Sequence, residues 1–553
     1  MLKVEQNLIL AIEDSIKAGW DLPALGNYKV NDYTYGQVGE HILKLHLLYE
    51  KCGIKQGDKV ALIGRSVANW GIVYLATITY GATIVPILPD FRPSDVENIV
   101  THSDSLLLFC GDGILSTLNG EQMPNIYAIF NIANWQVSFE RGDHKVGETM
   151  ANIDSLFAQK YPNGINASNL KFPTVDNSNI GVISYTSGTT GFSKGVVLTL
   201  QSLMVNVDYA TRHMPLFRGD KIVSVLPLAH AYGCAFEFLW PFTVGAHITF
   251  LGRNAGPTIM MEAFQTIKPH LLLFVPLLIE KVYKKTIQPL LNKPAMKVLM
   301  RIPGINIILR NKIKSSLTAA FGGRFREMVC GGAPFNREVE LFLRKLKFNF
   351  TVGYGMTECG PLITYASWRD SKVGSCGQLI EAMEMTIDSS DPQNQSGEIL
   401  VKGDNVMLGY YKNQEATDKA IDKNGWLHTG DLGVLDKDGF LFIKGRSKSM
   451  ILGPSGENIY PEEIEAKLNN LPYVIEQVVV ADKKNKLVAL VYADAAQAEK
   501  DGVDLQQIME QNKTALNAEL PKFMQVSRIV LRDSEFEKTP KQSIKRFLYE
   551  NID

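Results

Sequence analysis

Cysteine is scarce in this chain and never closely paired. Six are scattered over 553 residues (Cys52, Cys110, Cys234, Cys330, Cys359 and Cys376), with no C-x-x-C spacing. That argues against a disulfide framework and a thiolate zinc site, and fits a reducing compartment. Charge of one sign is not in excess either. With 57 basic and 58 acidic residues the net charge is −1, which leaves no electrostatic footprint for nucleic acid as a partner. Internal repeats and low-complexity tracts are missing. The opening MLKVEQNLILAIEDS carries Glu5 and Glu13 and lacks the apolar core of a secretory leader. The expected location is the cytoplasm, with peripheral attachment at the inner face of the membrane.

Long hydrophobic runs are few. Residues 66–89 form one stretch of 24 positions without a charge, and a membrane span needs about 20 mainly apolar residues. This stretch also holds Asn69, three Thr, two Gly and two Pro. It reads as a buried helix, a turn at Tyr80-Gly81 and a buried strand, ATIVPIL.

Hydrophobic content is 45% and charged content 21%, ordinary for a globular protein with a large core. Short apolar strands (DKVALIG, ATIVPIL, SLLLFC, NIYAIFNI, IGVISY) alternate with helix-like segments, the pattern of an α/β protein. Near Gly445 the character changes. Gly, Pro and Ser lead into a helix opened by Pro461, Glu462 and Glu463, then two strands and a further helix. The expected architecture is a large N-terminal domain (1–445) of mixed, mainly parallel sheets with helices. A small, mobile α+β C-terminal domain (446–553) follows. Residues 281–326 contain eleven Lys/Arg and no Asp or Glu, interleaved with apolar residues. Such amphipathic, basic helices suit an anionic surface, lipid or phosphorylated ligand.

The most unusual composition lies at 185–199, YTSGTTGFSKGVVLT. Ten residues from Thr186 hold three Gly, three Thr, two Ser and one Lys. Glycines let backbone N–H groups converge on an anion, and hydroxyls and an ammonium add to the grip, so phosphate is the expected ligand. The flanking β-prone runs make this a strand-to-strand loop, unlike the strand-to-helix P-loop. On composition alone, a flexible linker is the competing reading.

Further motifs resolve that ambiguity. YTSGTTGFSKG, GYGMTECGP (353–361), GWLHTGDLG (425–433) and GRSKSMI (445–451) resemble, in order and spacing, the adenylate-forming acyl-CoA synthetases. Within that superfamily the chain looks like the long-chain fatty acyl-CoA synthetases, although Leu277 stands where those carry Arg. The resemblance spans nearly the whole length. It implies ATP-dependent conversion of a fatty acid to acyl-AMP and then to a thioester with coenzyme A, with Mg²⁺ as cofactor. Two alternatives remain at this point: loading of a carrier protein's phosphopantetheine, and a catalytically impaired nucleotide- or acyl-binding homologue.

The resemblance also implies residue roles. Thr186, Ser187, Gly188, Thr189, Thr190, Gly191 and Lys194 would cradle the β- and γ-phosphates, and Glu358 would hold the metal. Gly332, Ala333 and Pro334, in the GGAP stretch beginning at Gly331, would edge the adenine, with Tyr354 as its stacking ring and Gly355, Met356 and Thr357 beside it. Asp431 would accept from the ribose hydroxyls, and Arg446 would contact the ribose or α-phosphate. His230, in LPLAHAYG, matches a gate for acyl or coenzyme A entry, and Lys448 matches a hinge. The family's C-terminal catalytic Lys is replaced by Ser543, with Lys541 and Lys545 flanking it. Lys541 is the favoured substitute, because side chains two apart share a face in an extended tail.

Overall fold

The uncharged stretch at 66–89 divides where the sequence predicts. Helix Ala68–Tyr80 ends at Gly81, whose left-handed φ of 89° suits a residue without Cβ. Strand Thr83–Ile87 follows with every residue buried. Trp70 and Tyr74 on the helix stack on each other and meet Phe238 edge-on. The computed structural model describes residues 4–186, 193–252, 256–453, 458–539 and 543–550. Among them no helix is long and apolar enough to cross a membrane.

Strand Thr83–Ile87 lies inside an eight-stranded sheet. Lys59–Ile63, Ser105–Cys110, Ala128–Asn131 and Ile180–Thr186 run parallel with it or with one another. These strands are buried on both faces, which is why they read as unbroken apolar runs. The edges turn antiparallel: Val137–Glu140 at one side, and Lys194–Thr199 followed by Gly409–Tyr410 at the other. A second, parallel trio of Leu271–Phe274, Glu327–Cys330 and Phe350–Val352 packs its own core of Phe264, Phe274, Phe321 and Met328. Four antiparallel strands, Met383–Asp388, Gly397–Gly403, Leu427–Leu435 and Leu441–Arg446, form a separate sheet.

The smaller C-terminal domain builds its own core. Strands Val474–Ala481, Leu487–Ala493 and Arg528–Arg532 pair in one sheet, packed by helices Pro461–Leu468 and Leu505–Ala518. Pro461 occupies the first turn of its helix with Glu462 and Glu463, where acids meet the positive end of the helix dipole. Polar contacts tie this domain to the larger one. The Lys284 ammonium donates to the Asn469 carbonyl, the Asn336 amide to the Asn470 side chain, and Ser396 and Tyr460 share a 2.6 Å hydroxyl contact.

Candidate active site

Strands Ile180–Thr186 and Lys194–Thr199 pair antiparallel, with Thr186 opposite Lys194. The connection between them is therefore strand-to-strand, as its flanks imply. Ser187, Gly188, Thr189, Thr190 and Gly191 lie outside the described residues. At the loop's exit, the Lys194 ammonium sits over the Tyr410 ring, 4.8 Å from its centroid. The Tyr410 hydroxyl in turn donates to Glu358 Oε1 at 3.0 Å. Burial first, and the neighbouring Glu358 second, hold the Tyr410 phenol well above its ordinary pKa, so it stays a donor. The ring keeps cation and carboxylate apart. No ion pair joins Lys194 to Glu358 among the described residues.

Glu358 sits on a 3-10 turn, Thr357–Cys359, half-buried. Just before it, Tyr354–Gly355 pairs with Leu362–Tyr365, and Met356 N–H donates to the Pro361 carbonyl at 2.9 Å. Position 355 requires Gly, since a Cβ there would lie 2.2 Å from the Pro361 carbonyl oxygen. The turn thus presents Thr357 and Glu358 on a closely folded backbone. Glu358 Oε1 is engaged by Tyr410, and Oε2 has no hydrogen-bond partner among the described residues. One half-buried carboxylate with an open oxygen fits Mg²⁺, which takes one or two carboxylates and fills its octahedron with phosphate oxygens and water. Such a site needs no cage of several ligating side chains, and among the described residues there is none.

A second set of contacts begins four residues earlier. The sequence reads Tyr354 as a stacking ring; the structure has its hydroxyl donating to Asp431 Oδ2 at 2.7 Å, with 9% of the residue exposed. Asp431 and Arg446 are cross-strand partners, and Arg446 Nε donates to Asp431 Oδ1 at 3.0 Å. Asp431 is 6% exposed, whereas the Arg446 side chain is 71% exposed. The buried carboxylate is therefore anchored, while the guanidinium reaches outward. Burial, then Asp431, raises the Tyr354 phenol's pKa far above its usual value.

Gly332, Ala333 and Pro334 are exposed at the end of strand Glu327–Cys330. Tyr232 joins them to the His230 segment: its hydroxyl donates to the Val329 carbonyl at 3.1 Å, and its ring faces Gly331. His230 is half-buried, and its Nδ1 accepts from Tyr232 N–H at 3.3 Å. That contact places the proton of a neutral imidazole on Nε2.

Of the C-terminal positions, the described ones (Lys448, Ser543 and Lys545) are not drawn into this cluster. Lys448 is exposed on the short turn Ser447–Ser449. The Ser543 carbonyl accepts from Thr539 N–H, and next to them Lys538 and Ile544 form an antiparallel bridge. Lys541 lies outside the described residues. Lys545 turns to Glu537 at 3.5 Å. Arg546 pins the tail with paired bonds of 2.7 and 2.8 Å to Glu465.

Three supporting residues escaped the sequence reading. Tyr410 is one. Glu398 is another, accepting from Gly430 N–H at 2.8 Å and contacting His428 Nδ1 at 3.0 Å, which shapes the turn before Asp431. Glu237, on a π-helical turn, accepts from Val225 and Leu226 N–H and from the Ser224 hydroxyl. It thereby holds the chain leading to His230, and burial pushes its carboxyl up to about 8. A lone acid inside CAFEFLWPF was the available signal.

Comparison with known proteins places this geometry in context. The profile of the AMP-binding enzyme family matches residues 12–411, and that of the AMP-binding enzyme C-terminal domain matches residues 448–551. The peroxisomal long chain acyl-CoA synthetase 6 of Arabidopsis thaliana is 30% identical over 501 residues, covering 84% of this chain and 69% of its own. The 4-coumarate:CoA ligase 1 of Petunia hybrida is 29% identical over 475 residues, covering 82% and 77%. Among solved structures, the anthranilate CoA ligase AuaEII in complex with anthranoyl-AMP superposes with a TM-score of 0.79 at 18% identity, covering 99% of this chain and 97% of that one. At that identity the likeness concerns the fold.

Proposed function

The chain belongs to the AMP-binding enzyme family, within its AMP-forming acid–CoA ligases, and from that premise we propose that it activates a long-chain fatty acid with ATP and Mg²⁺. A carboxylate oxygen of the acid attacks the α-phosphorus of ATP, the bond to pyrophosphate breaks, and acyl-AMP forms. The thiol of coenzyme A then gives up its proton to solvent as its sulfur attacks the acyl carbon, and AMP leaves with the electrons of the C–O bond.

The observation that carries this reading is the row Lys194, Tyr410, Glu358 at the exit of the glycine- and hydroxyl-rich loop. Attack of one anion on another requires positive charge close by, and preorganised charge is effective because it need not rearrange during the reaction. Lys194 supplies an ammonium for the phosphates, and the open oxygen of Glu358 would hold Mg²⁺, which adds charge between the phosphates when bound. Asp431 and Arg446 are assigned to the ribose and α-phosphate side, with Gly332 to Pro334 edging the base.

Long-chain specificity draws support from the Arabidopsis relative, with aromatic acids as the competing class that the Petunia relative brings in. We assign the domain division to 445/446 and the pivot to Lys448, which lies exposed on the turn Ser447–Ser449 that follows strand Leu441–Arg446. With Lys545 engaged by Glu537, Lys541 is the better substitute for the cation missing at Ser543. Pyrophosphate release measured with acids of graded chain length and with aromatic acids, using coenzyme A as acceptor, tests the assignment. Turnover that peaks on long chains supports it, and preference for an aromatic acid overturns it.

A further inference from the structure

Helices Gln288–Asn292 and Pro294–Leu299 contribute no buried residue, and the adjoining Ile305–Ala320 contributes only Leu317. These are not polar helices. Leu290, Val298, Leu299, Ile302, Ile307 and Ile308 all lie exposed, Ile308 to 68% and Val298 to 60%. With Ile305, seven of the 23 exposed large hydrophobic side chains among the described residues fall within positions 290–308. Isolated exposed apolar residues are normal, but seven within nineteen consecutive positions single this segment out as a candidate contact surface.

The same segment is set with cations. Lys293, Lys297, Arg301, Arg310 and Lys312 have no ion-pair partner among the described residues, and residues 281–326 contain no acid at all. Elsewhere surface lysines commonly find a carboxylate, as Lys372 does with Asp436 at 2.5 Å. An apolar ridge inside an unneutralised basic field fits an interface that is anionic outside and hydrocarbon just beneath. A second copy docking through the same face would bring like charge against like. A nucleic acid would leave the isoleucines unburied.

We propose that the ridge formed by residues 290–312 docks on an anionic lipid bilayer, with Val298, Ile302, Ile307 and Ile308 entering the acyl boundary. Lys293, Lys297, Arg301, Arg310 and Lys312 contact the headgroups. The inference does not depend on which acid the enzyme activates. It does place the protein where a membrane-partitioned acid would be concentrated.

Co-sedimentation of the full chain with phosphatidylserine-containing and pure phosphatidylcholine vesicles tests it. Binding should favour the anionic vesicles about tenfold or more and weaken with added salt, as screening shortens the reach of exposed charges to roughly 8 Å at physiological ionic strength. The double variant Ile307→Asp, Ile308→Asp should lose about tenfold in vesicle binding. So should Lys293→Glu with Lys297→Glu, with pyrophosphate release from a soluble short acid unchanged in both. Equal binding to both vesicle types, or undiminished binding by both variants, would overturn the proposal. So would a chain that ignores vesicles and forms a dimer that the aspartate variants dissolve.

Discussion

Lys194 and Glu358 are separated by a single aromatic ring: the ammonium lies over the face of Tyr410, and the Tyr410 hydroxyl donates to the carboxylate. Left in direct contact, the two charges would neutralise each other. Tyr410→Phe keeps the ring under Lys194 and removes the bond to Glu358. A hydrogen bond to a charged group contributes about 1.5–3 kcal/mol, so acyl-AMP formation should fall roughly ten- to a hundredfold, with a higher Mg²⁺ requirement. Titrating Mg²⁺ against rate in both proteins checks this; an unchanged Mg²⁺ profile would count against Glu358 as the metal's carboxylate.

Asp431 serves two partners, and its loss should show in two measurements. Asp431→Ala should raise the KM for ATP about ten- to a hundredfold. It also strands the buried Tyr354 hydroxyl, which should lower stability by about 1–3 kcal/mol. Adding Tyr354→Phe should restore stability and leave the ATP defect. A double variant that regains ATP affinity would make Asp431 a purely structural residue.

Glu237 should make stability depend on pH. Its carboxyl is raised by burial to about 8, so the folded state holds a proton that the unfolded state releases near its ordinary pKa. Its contribution is complete below that ordinary value and is lost as pH rises towards about 8, by at most ~1.4 kcal/mol per pH unit. Melting temperatures of the wild type and Glu237→Gln should therefore diverge with rising pH in favour of the variant. A gap that stays constant from pH 5 to about 8 would refute the assignment.

Strong local patterns were the legible part of this fold. β-Branched runs on both sides of a Gly, Ser and Thr cluster imply strand, loop, strand, and Tyr80-Gly81 splits an apolar stretch because Gly accepts a left-handed turn. The supports of the site were hidden for a physical reason. Tyr410 reaches Glu358 because Gly409–Tyr410 pairs with Val197 and Val196 across more than two hundred residues of chain. Nothing local in MLGYYKN distinguishes it from the adjacent Tyr411. Glu398 shapes the turn before Asp431 from a strand thirty-two residues upstream of Gly430, a pairing that only the folded sheet creates.

Substitutions at the C-terminal positions should separate the two half-reactions. Lys448→Pro fixes one backbone angle, so acyl-AMP should still form while thioester transfer drops sharply. Lys541→Ala should do the reverse, slowing acyl-AMP formation and sparing transfer from supplied acyl-AMP, with rescue by Ser543→Lys. Stopped single-turnover assays of each step distinguish them. Equal loss of both steps in either variant would remove its assigned role.

The most direct test of the central claim is fatty-acid-dependent exchange of labelled pyrophosphate into ATP, without coenzyme A, by the wild type, Lys194→Ala and Glu358→Gln. Exchange by the wild type, with loss of about a hundredfold or more in each variant at unchanged melting temperature, is the outcome that follows from preorganised charge at this site. Wild-type rates in either variant, or no exchange by the wild type with any acid, would contradict it.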